Sequence, residues 1–237
     1  MLTNESKVLG IIPARGGSKG VIRKNIRLLA GKHLIGYSIE SALESEYLTD
    51  VVVSTDDTEI ADISESYGAT VLMRPQSLAE DRTPMLPVLQ HTLTQAEELN
   101  GVKYDYIMIL QPTAPLRSAT DIDKAIKTIV EKKCDSLVSL YQVEDCHPSR
   151  MYTIDKDILN KVMSEPDGAL RQALPAVFHR NGCVYLSSRE LLMEQGLIVS
   201  DLCYPYIMSA ERSLNIDTEL DLEYAEFIFQ KKLNSNE

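Results

Sequence analysis

Positive charge is concentrated in one short segment near the start of the sequence. Residues 11–25 read IIPARGGSKGVIRKN and contain no acidic residue. The basic residues of this segment and of the positions just after it are Arg15, Lys19, Arg23, Lys24 and Arg27. Composition alone favours a solvated basic turn as the explanation. The alternative is a site for a phosphate-rich ligand, because clustered cations beside two adjacent glycines, Gly16 and Gly17, can surround an anion.

The position of this segment favours the phosphate site. The segment overlaps the end of VLGII, a continuous apolar stretch typical of a buried strand in a parallel sheet. Ligands of open parallel sheets bind just beyond the carboxyl ends of the strands. The glycines do not have the spacing of a P-loop, G-x-x-x-x-G-K-[ST], or of a dinucleotide-binding turn, G-x-G-x-x-G. We therefore predict a phosphate-binding loop of another kind.

The overall composition limits the class of ligand. With 24 Lys and Arg against 35 Asp and Glu, the 237-residue chain has a formal net charge of -11. A chain this acidic is not expected to bind nucleic acid polymers, whose affinity depends on many basic contacts to phosphate. The basic loop is therefore expected to bind a small anion.

The sequence contains no evident zinc motif, disulfide framework or targeting segment. The four cysteines, Cys134, Cys146, Cys183 and Cys203, are widely spaced and form no C-x-x-C pair, and the four histidines lack metal-ligand spacing. The first residues lack the basic and apolar regions of a signal peptide, and no apolar stretch is long enough to span a bilayer. We expect a cytoplasmic protein with reduced thiols and no membrane association.

Alternating strands and helices are predicted for the first half of the chain. Apolar strand patterns followed by helical patterns occur at 8–12 and 34–45, 50–55 and 57–68, 69–73 and 84–100, and 104–110 and 119–133. Such units are typical of an α/β fold with a mostly parallel sheet, here in one domain covering residues 1–237. The four loops that follow these strands would gather along one edge of the sheet and line a shared site.

The alternation breaks between residues 144 and 180. This segment contains prolines, mixed charges and short apolar pieces without a sustained helical or strand period. Its apolar content argues against disorder. We interpret it as an arm that packs on another surface, such as a second copy of the protein. Beyond it we predict strands at 181–188 and 204–208, a helix at 189–195, and a last strand, SLNID, that leads into a C-terminal helix.

Five motifs occur in an order that is specific to one enzyme family. They are IIPARGGSKGVIRKN, STDD, LQPTAPLR, FHRNGCVYL and NIDTELD. Together they resemble the acylneuraminate cytidylyltransferases, also called CMP-sialic acid synthetases, over about residues 7–230. The resemblance implies a Rossmann-like nucleotidyltransferase fold and the transfer of CMP from CTP to the anomeric hydroxyl of a nonulosonic acid, with release of pyrophosphate. It also implies a Mg²⁺ cofactor and a homodimer in which the arm of one subunit completes the sugar site of the other.

The resemblance assigns roles to individual residues. The residues expected to bind CTP are Arg15, Lys19, Lys24, Asn25 and Arg74. Those expected to bind the sugar acid are Gln111, Thr113, Arg150, Arg171, Asn181 and Tyr185. The expected catalytic residues are Arg15, Lys19, Gln111 and Asp217, of which Asp217 is also the expected magnesium ligand. These residue types suit nucleotidyl transfer, which depends mainly on positioning and on neutralising phosphate charge. Arg23 and Arg27 have no counterpart and are interpreted as surface or sheet-edge cations.

Two departures from the family pattern leave alternatives open. Asn215 stands where an acid often precedes the metal ligand by two residues. An arginine that is usual at the position of His179 occurs one residue later, as Arg180. These departures are compatible with a catalytically inactive CTP-binding homologue, or with a cytidylyltransferase for Kdo or another sugar acid. Gln111 favours the sialic acid branch, since enzymes that transfer Kdo carry an acid there.

Overall fold

The central feature of the structure is a seven-stranded sheet packed between helices. The structure is a computed structural model that describes residues 6–164 and 174–234. Its strands are β1 (Val8–Pro13), β2 (Leu28–Leu29), β3 (Lys32–His33), β4 (Asp50–Thr55), β5 (Thr70–Met73), β6 (Tyr106–Ile109), β7 (Ser136–Gln142), β8 (Tyr152–Asp155), β9 (Ile158–Lys161), β10 (Phe178–Ser188) and β11 (Cys203–Met208). Its α-helices are α1 (Leu34–Leu43), α2 (Thr58–Ser66), α3 (Met85–Asn100), α4 (Ala119–Lys132), α5 (Arg189–Met193) and α6 (Glu219–Asn234).

The strand order places the first strand near the centre of the sheet. The order is β11-β7-β10-β6-β1-β4-β5, and β10 runs antiparallel to both of its neighbours while the other neighbouring pairs are parallel. In this register Ile11 of β1 lies between Val52 of β4 and Ile109 of β6. The prediction of an α/β fold with a mostly parallel sheet is confirmed.

The core explains why the first strand reads as an unbroken apolar run. Ile12 packs into the cluster that α1 and α4 cover, whereas Leu9 and Ile11 pack with Leu89 and Leu93 of α3 on the other face. A strand that is buried on both faces has no solvent-facing positions for polar residues. Burial of β1 therefore fixes the point at which the basic loop leaves the sheet.

Polar residues at the carboxyl edge of the sheet start the helices that follow. Asp57 caps α2 by accepting a hydrogen bond from the amide of Ile60 at 3.0 Å. Ser118 and Asp121 form a reciprocal capping box at the start of α4. The acids of these loops thus have local structural roles as well as any role in a site.

Among the described residues, every helix is too short or too polar to cross a membrane.

The strand predicted for SLNID is wrong. Residues 213–217 have no regular secondary structure, and α6 begins only at Glu219. The amide of Ile216 donates to the carbonyl of Thr113 at 2.8 Å instead of joining a sheet. The alternation of Leu214 and Ile216 with polar residues comes from packing both side chains into a small cluster with α6. This segment therefore crosses the loop that follows β6.

The predicted arm contains a short hairpin. Strands β8 and β9 pair in antiparallel fashion, and every residue of both strands is exposed. Lys156 and Asp157 turn the chain with φ values of 47° and 66°, as a two-residue hairpin turn requires. The end of the arm differs from the prediction, because β10 already begins at Phe178. A hairpin without a core of its own is marginal in water, so this one is expected to pack on another surface.

Candidate active site

The loops at the carboxyl edge of the sheet surround a cleft of about 510 Å³. Arg15, Lys19 and Lys24 contribute from the basic loop, Arg74 and Asp81 from the segment after β5, and Gln111 and Thr113 from the segment after β6. Three of the four loops predicted to share a site therefore line this first cleft. The loop after β4 lies behind it and contacts the basic loop.

A second cleft, of about 500 Å³, adjoins the first. Its walls come from β10, from the irregular segment before α6 and from α6 itself, with His179, Arg180, Tyr185 and Tyr224 among the lining residues. Three residues, Gln111, Asn215 and Asp217, line both clefts. Two compartments that share a short boundary can hold two substrates whose reacting atoms meet there.

Every cation of the basic segment has an acidic partner from another part of the chain. Arg15 and Lys19 pair with Asp81, Arg23 with Asp57 and Glu59, Lys24 with Asp217, and Arg27 with Glu219. The positive charge that has no neighbouring acid in the sequence is thus balanced in the fold. Among these five cations, Arg15, Lys19 and Lys24 line the first cleft.

Arg23, interpreted from the sequence as a surface or sheet-edge cation, anchors the basic loop. Its guanidinium donates to both carboxylate oxygens of Asp57, at 2.5 and 3.2 Å. The hydrogen bond from Arg23 lowers the pKa of Asp57. At the other end of the loop, the amide of Gly16 donates to Asp56 at 3.1 Å, and a Cβ on Gly16 would lie 2.5 Å from Asp57. The turn after β4 therefore holds the loop at both ends.

With CTP, the substrate that the resemblance implies, replacement of Arg23 by alanine is expected to raise the KM about five- to tenfold and to change kcat less. Loss of one charged hydrogen-bonded anchor corresponds to about 1 kcal/mol, and the loop would bind phosphate less well without it. Steady-state kinetics of pyrophosphate release measure both constants. Arg27→Ala is the matched control, because its pair with Glu219 is exposed and Arg27 lines neither cleft within the described residues. Equal effects of the two substitutions would contradict the anchoring role.

Lys24 and Asn25 connect the basic loop to its surroundings. The ammonium of Lys24 donates to Asp217 and to the carbonyl of Ile216, both at 2.9 Å. The side-chain amide of Asn25 donates to the carbonyl of Arg15 at 2.9 Å. Both residues also line the first cleft, where they were predicted to contact the nucleotide. Lys24 therefore holds the basic loop against the segment that carries Asp217, whereas Asn25 ties together two parts of the basic loop itself.

Arg74 is a buried cation with little compensation. Its guanidinium lies 3.7 Å from Asp56, and its Nε has no hydrogen-bond partner among the described residues. Burial lowers its pKa. Because Arg74 lines the first cleft, a polar group of a bound ligand could satisfy this unpaired donor. That Arg74 contacts CTP stays a prediction.

Arg117 supports the loop that carries Gln111, a role that the sequence did not reveal. Its guanidinium is buried and donates to the carbonyls of Gln111 and Cys183, at 3.2 and 2.8 Å, and to Ser38 at 2.6 Å. Burial lowers its pKa to about 10. Arg117 therefore ties the loop after β6 to β10 and to α1. Arg117 is the last residue of the motif LQPTAPLR, but the motif does not indicate which carbonyl groups the arginine binds.

The boundary between the clefts is lined by oxygen atoms. A Cβ on Gly182, whose φ is 72°, would lie 3.0 Å from Gln111 Oε1 and 3.6 Å from Asn215 Oδ1. Asn215 donates its amide to Asp217 Oδ2 at 2.6 Å, and its buried Oδ1 has no hydrogen-bond partner in the described part of the chain. Because residue 182 is a glycine and has no Cβ, the side-chain oxygens of Gln111 and Asn215 can both lie close to its backbone.

These oxygen atoms fit a magnesium ion. Mg²⁺ is usually held by one or two protein oxygens, with water and substrate phosphates completing its coordination. Asp217 offers a carboxylate and Asn215 an unpaired amide oxygen at the edge of the phosphate cleft. Within residues 6–164 and 174–234, no group of three or more His, Cys, Asp or Glu side chains could hold a metal by itself. Phosphate oxygens of a ligand would therefore have to contribute.

The residues predicted to bind the sugar acid are found in different places. Tyr185 lines the second cleft, Gln111 lines both, and Thr113 lines the first. Asn181 borders the second cleft, but its side chain is bonded to the hydroxyls of Ser139 and Ser213. Arg150 lies on the arm and, in the described residues, lines neither cleft. Arg171 lies outside the described residues.

His179 and Arg180 both line the second cleft. The ring of His179 packs edge-on against Tyr141, with ring centroids 5.6 Å apart. Arg180 is exposed and has no ion-pair partner among the residues that the structure describes. A free guanidinium at this position is suited to bind the carboxylate of an acidic ligand.

Comparisons with known proteins show which family the chain belongs to. The cytidylyltransferase family matches residues 9–237. The CMP-N,N'-diacetyllegionaminic acid synthase of Campylobacter jejuni is 34% identical over 96% of this chain and 97% of its own length. The N-acylneuraminate cytidylyltransferase of Escherichia coli is also 34% identical over 96% of this chain, which spans 53% of that longer relative.

A solved structure shares the fold. The CMP:2-keto-3-deoxy-manno-octonic acid synthetase complexed with CTP superposes with a TM-score of 0.72 at 17% identity, covering 96% of this chain and 100% of that one. At this identity the likeness establishes the Rossmann-like nucleotidyltransferase fold and no more. Together with the family match, it confirms the resemblance that the motifs indicated. The chain therefore belongs to the cytidylyltransferase family.

Proposed function

We propose that this nucleotidyltransferase transfers CMP from CTP to the anomeric hydroxyl of a nonulosonic acid and releases pyrophosphate. The observation that carries the proposal is the pair of adjoining clefts, one rich in cations and one beside it, which meet at Gln111, Asn215 and Asp217. The full-length relative in Campylobacter jejuni is named for CMP-N,N'-diacetyllegionaminic acid, and the Escherichia coli relative for N-acylneuraminate. The first name gives the CMP derivative of an acid of this class, and the second gives a cytidylyltransferase for such an acid.

The first cleft is suited to the triphosphate. Arg15, Lys19 and Lys24 can donate charge-assisted hydrogen bonds to phosphate oxygens and neutralise charge that develops in the transition state. Arg74 can bind a polar group of the nucleotide with its unpaired Nε. We propose that Asp217, with Asn215, holds a magnesium ion. When bound, the ion would neutralise phosphate charge at the boundary of the clefts.

The second cleft is suited to the sugar acid. Arg180 offers a cation for the carboxylate, and Tyr185 and Tyr224 offer hydroxyl groups and ring faces for a polyhydroxylated ligand. Gln111, at the boundary, can donate to a sugar oxygen and keep the anomeric hydroxyl near the phosphorus. Holding both substrates in one orientation supplies much of the rate enhancement in such two-substrate reactions.

Pyrophosphate release tests the proposal. The purified protein would be supplied with CTP, MgCl₂ and, one at a time, N-acetylneuraminate, a legionaminate, a pseudaminate and Kdo. We expect strong release with one nine-carbon acid, and little with Kdo or with no sugar. Pyrophosphate release with Kdo alone would show that the enzyme is a cytidylyltransferase for Kdo. Tight CTP binding without release for any acid would instead favour a catalytically inactive CTP-binding homologue.

We also propose that the chain is one cytoplasmic catalytic domain that forms a homodimer through its arm. The exposed apolar residues of the arm include Met151, Tyr152, Ile154, Ile158, Leu159 and Val162. An apolar surface of this extent on a small hairpin indicates a protein contact. Arg150 lies at the base of the same hairpin, where it could reach the second cleft of another subunit.

Ile154→Glu is expected to convert the dimer into a monomer and to lower turnover at least tenfold. Ile154 is 73% exposed, and a charge there would have to be desolvated in the interface. Sedimentation velocity at several protein concentrations measures the mass. Leu99→Glu is the matched control, since Leu99 is 60% exposed near the end of α3, outside the arm. A wild-type protein that sediments as a monomer, or an unchanged dimer in the Ile154 variant, would contradict the proposed interface.

A further inference from the structure

An acidic side chain lies between two cations of the basic loop. Asp81 lies in the segment between β5 and α3 and lines the first cleft. One carboxylate oxygen lies 3.1 Å from Arg15, and the other pairs with Lys19. The hydrogen bond from Lys19 lowers the pKa of Asp81, so the carboxylate is ionised at neutral pH. The two cations nearest the start of the loop therefore already share an anion.

The arrangement resembles the binding of a phosphate group. A carboxylate that places one oxygen on each of two cations makes the same contacts as two oxygens of a phosphate. An anionic ligand cannot bind Arg15 and Lys19 fully until Asp81 leaves. The side chain of Asp81 is 43% exposed, so it can rotate into solvent without disturbing the core.

Displacement of Asp81 favours ligands that carry several negative charges. A single small anion would form with Arg15 and Lys19 only the two ion pairs that Asp81 already forms, so its binding would gain little free energy. A polyphosphate can also reach Lys24 and Arg74, which line the same cleft and have other partners. The additional contacts offset the loss of the pairs with Asp81.

We propose that Asp81 is an internal counter-ion of the phosphate site, which every anionic ligand must displace, so that singly phosphorylated or small anions bind too weakly to occupy the site while a polyphosphate, with its additional contacts, still binds. The inference rests on the proposed function in naming CTP as that ligand. Asp81 keeps Arg15 and Lys19 in position while the cleft is empty and excludes single phosphate or sulfate ions. It is a specificity-determining residue and takes no part in bond formation.

Calorimetric titration without metal tests this role. The ligands are CTP, pyrophosphate, inorganic phosphate and cytidine, and the variant is Asp81→Asn, which keeps the shape of the side chain and removes its charge. We expect CTP and pyrophosphate to bind about three- to tenfold more tightly to the variant, since two exposed ion pairs no longer compete. Inorganic phosphate should bind measurably to the variant alone, and cytidine should bind both proteins equally.

Glu80→Gln is the matched control. Glu80 precedes Asp81, lines the same cleft and, in the described part of the chain, pairs with neither Arg15 nor Lys19. The control should bind CTP within twofold of wild type, and Asp81→Ala should behave like Asp81→Asn. Equal gains in anion affinity for Glu80→Gln and Asp81→Asn would show that the effect comes from the overall charge of the cleft, and would overturn the inference. Unchanged or weaker binding by both Asp81 variants would also overturn it.

The titrations separate this inference from the proposed function. A wild-type protein that binds pyrophosphate but not CTP would contradict the proposed nucleotide. The comparison of Asp81→Asn with wild type for pyrophosphate would still decide the role of Asp81. Conversely, suppose that the wild type turns over CTP normally and that Asp81→Asn binds anions no more tightly than the wild type. This result would support the proposed function and contradict the role of Asp81 as a counter-ion.

Discussion

Asp217→Asn is expected to lower the rate of pyrophosphate release about a thousandfold and to leave the fold intact. Asp217 lines both clefts, and its two carboxylate oxygens accept from Lys24 and Asn215, at 2.9 and 2.6 Å. Asparagine keeps the shape of the side chain but removes the charge that would hold magnesium. A bound metal ion supplies several kcal/mol of transition-state stabilisation, and each factor of ten in rate is about 1.4 kcal/mol.

The measurement is kcat at saturating CTP and sugar acid over a range of magnesium concentrations, together with circular dichroism. The variant should need more magnesium as well as turn over more slowly, which a merely structural role would not produce. Glu219→Gln is the matched control, because Glu219 is two residues away and pairs with the exposed Arg27. If Asp217→Asn turns over within tenfold of wild type at ordinary magnesium concentrations, Asp217 is not a magnesium ligand.

Regular elements could be predicted from the sequence because their patterns are local. The apolar run of β1 and the helical period of α3 each follow from burial of side chains a few residues apart. The gathering of loops at one edge follows from the parallel order of the strands. These features predict that the loops of Arg15, Arg74 and Gln111 share a site, and all three residues line the first cleft.

Ion pairing in the site could not be predicted in the same way. Arg23 and Asp57 are 34 residues apart, and Lys24 and Asp217 are 193 residues apart. The sequence shows which residues carry charge but not which charges meet. The pairing decides that Arg23 anchors the loop while Arg15 and Lys19 face the cleft with Asp81 between them.

The segment before α6 shows why an apolar alternation can mislead. Leu214 and Ile216 alternate with polar residues as in a strand, but the amide of Ile216 bonds to Thr113 in a distant loop. The same segment contains Asn215, which the sequence marked only as a departure from an acid. Its buried Oδ1, which has no hydrogen-bond partner in residues 6–164 and 174–234, offers an amide oxygen next to Asp217 where the sequence lacks a second carboxylate.

Gly20→Ala is expected to lower kcat/KM about a hundredfold, whereas Gly17→Ala in the same loop should change it less than threefold. A Cβ on Gly20 would overlap the backbone carbonyl oxygen of Asp217, whereas a Cβ on Gly17 would meet no described atom within 4 Å. A backbone carbonyl cannot rotate away as a side chain can. The alanine would therefore push Lys19 and its loop away from Asp217, and a displacement of about 1 Å can cost a hundredfold in rate.

Comparison of the two glycine variants separates packing from flexibility. Both substitutions reduce the freedom of the same loop by a similar amount, since each replaces glycine by alanine. The measurement is kcat/KM for CTP, with thermal unfolding as the test of folding. Similar losses in both variants would show that the loop must be flexible and that its close approach to Asp217 is unimportant. A large loss confined to Gly20→Ala would show that catalysis depends on the contact between the phosphate loop and the segment that carries Asp217.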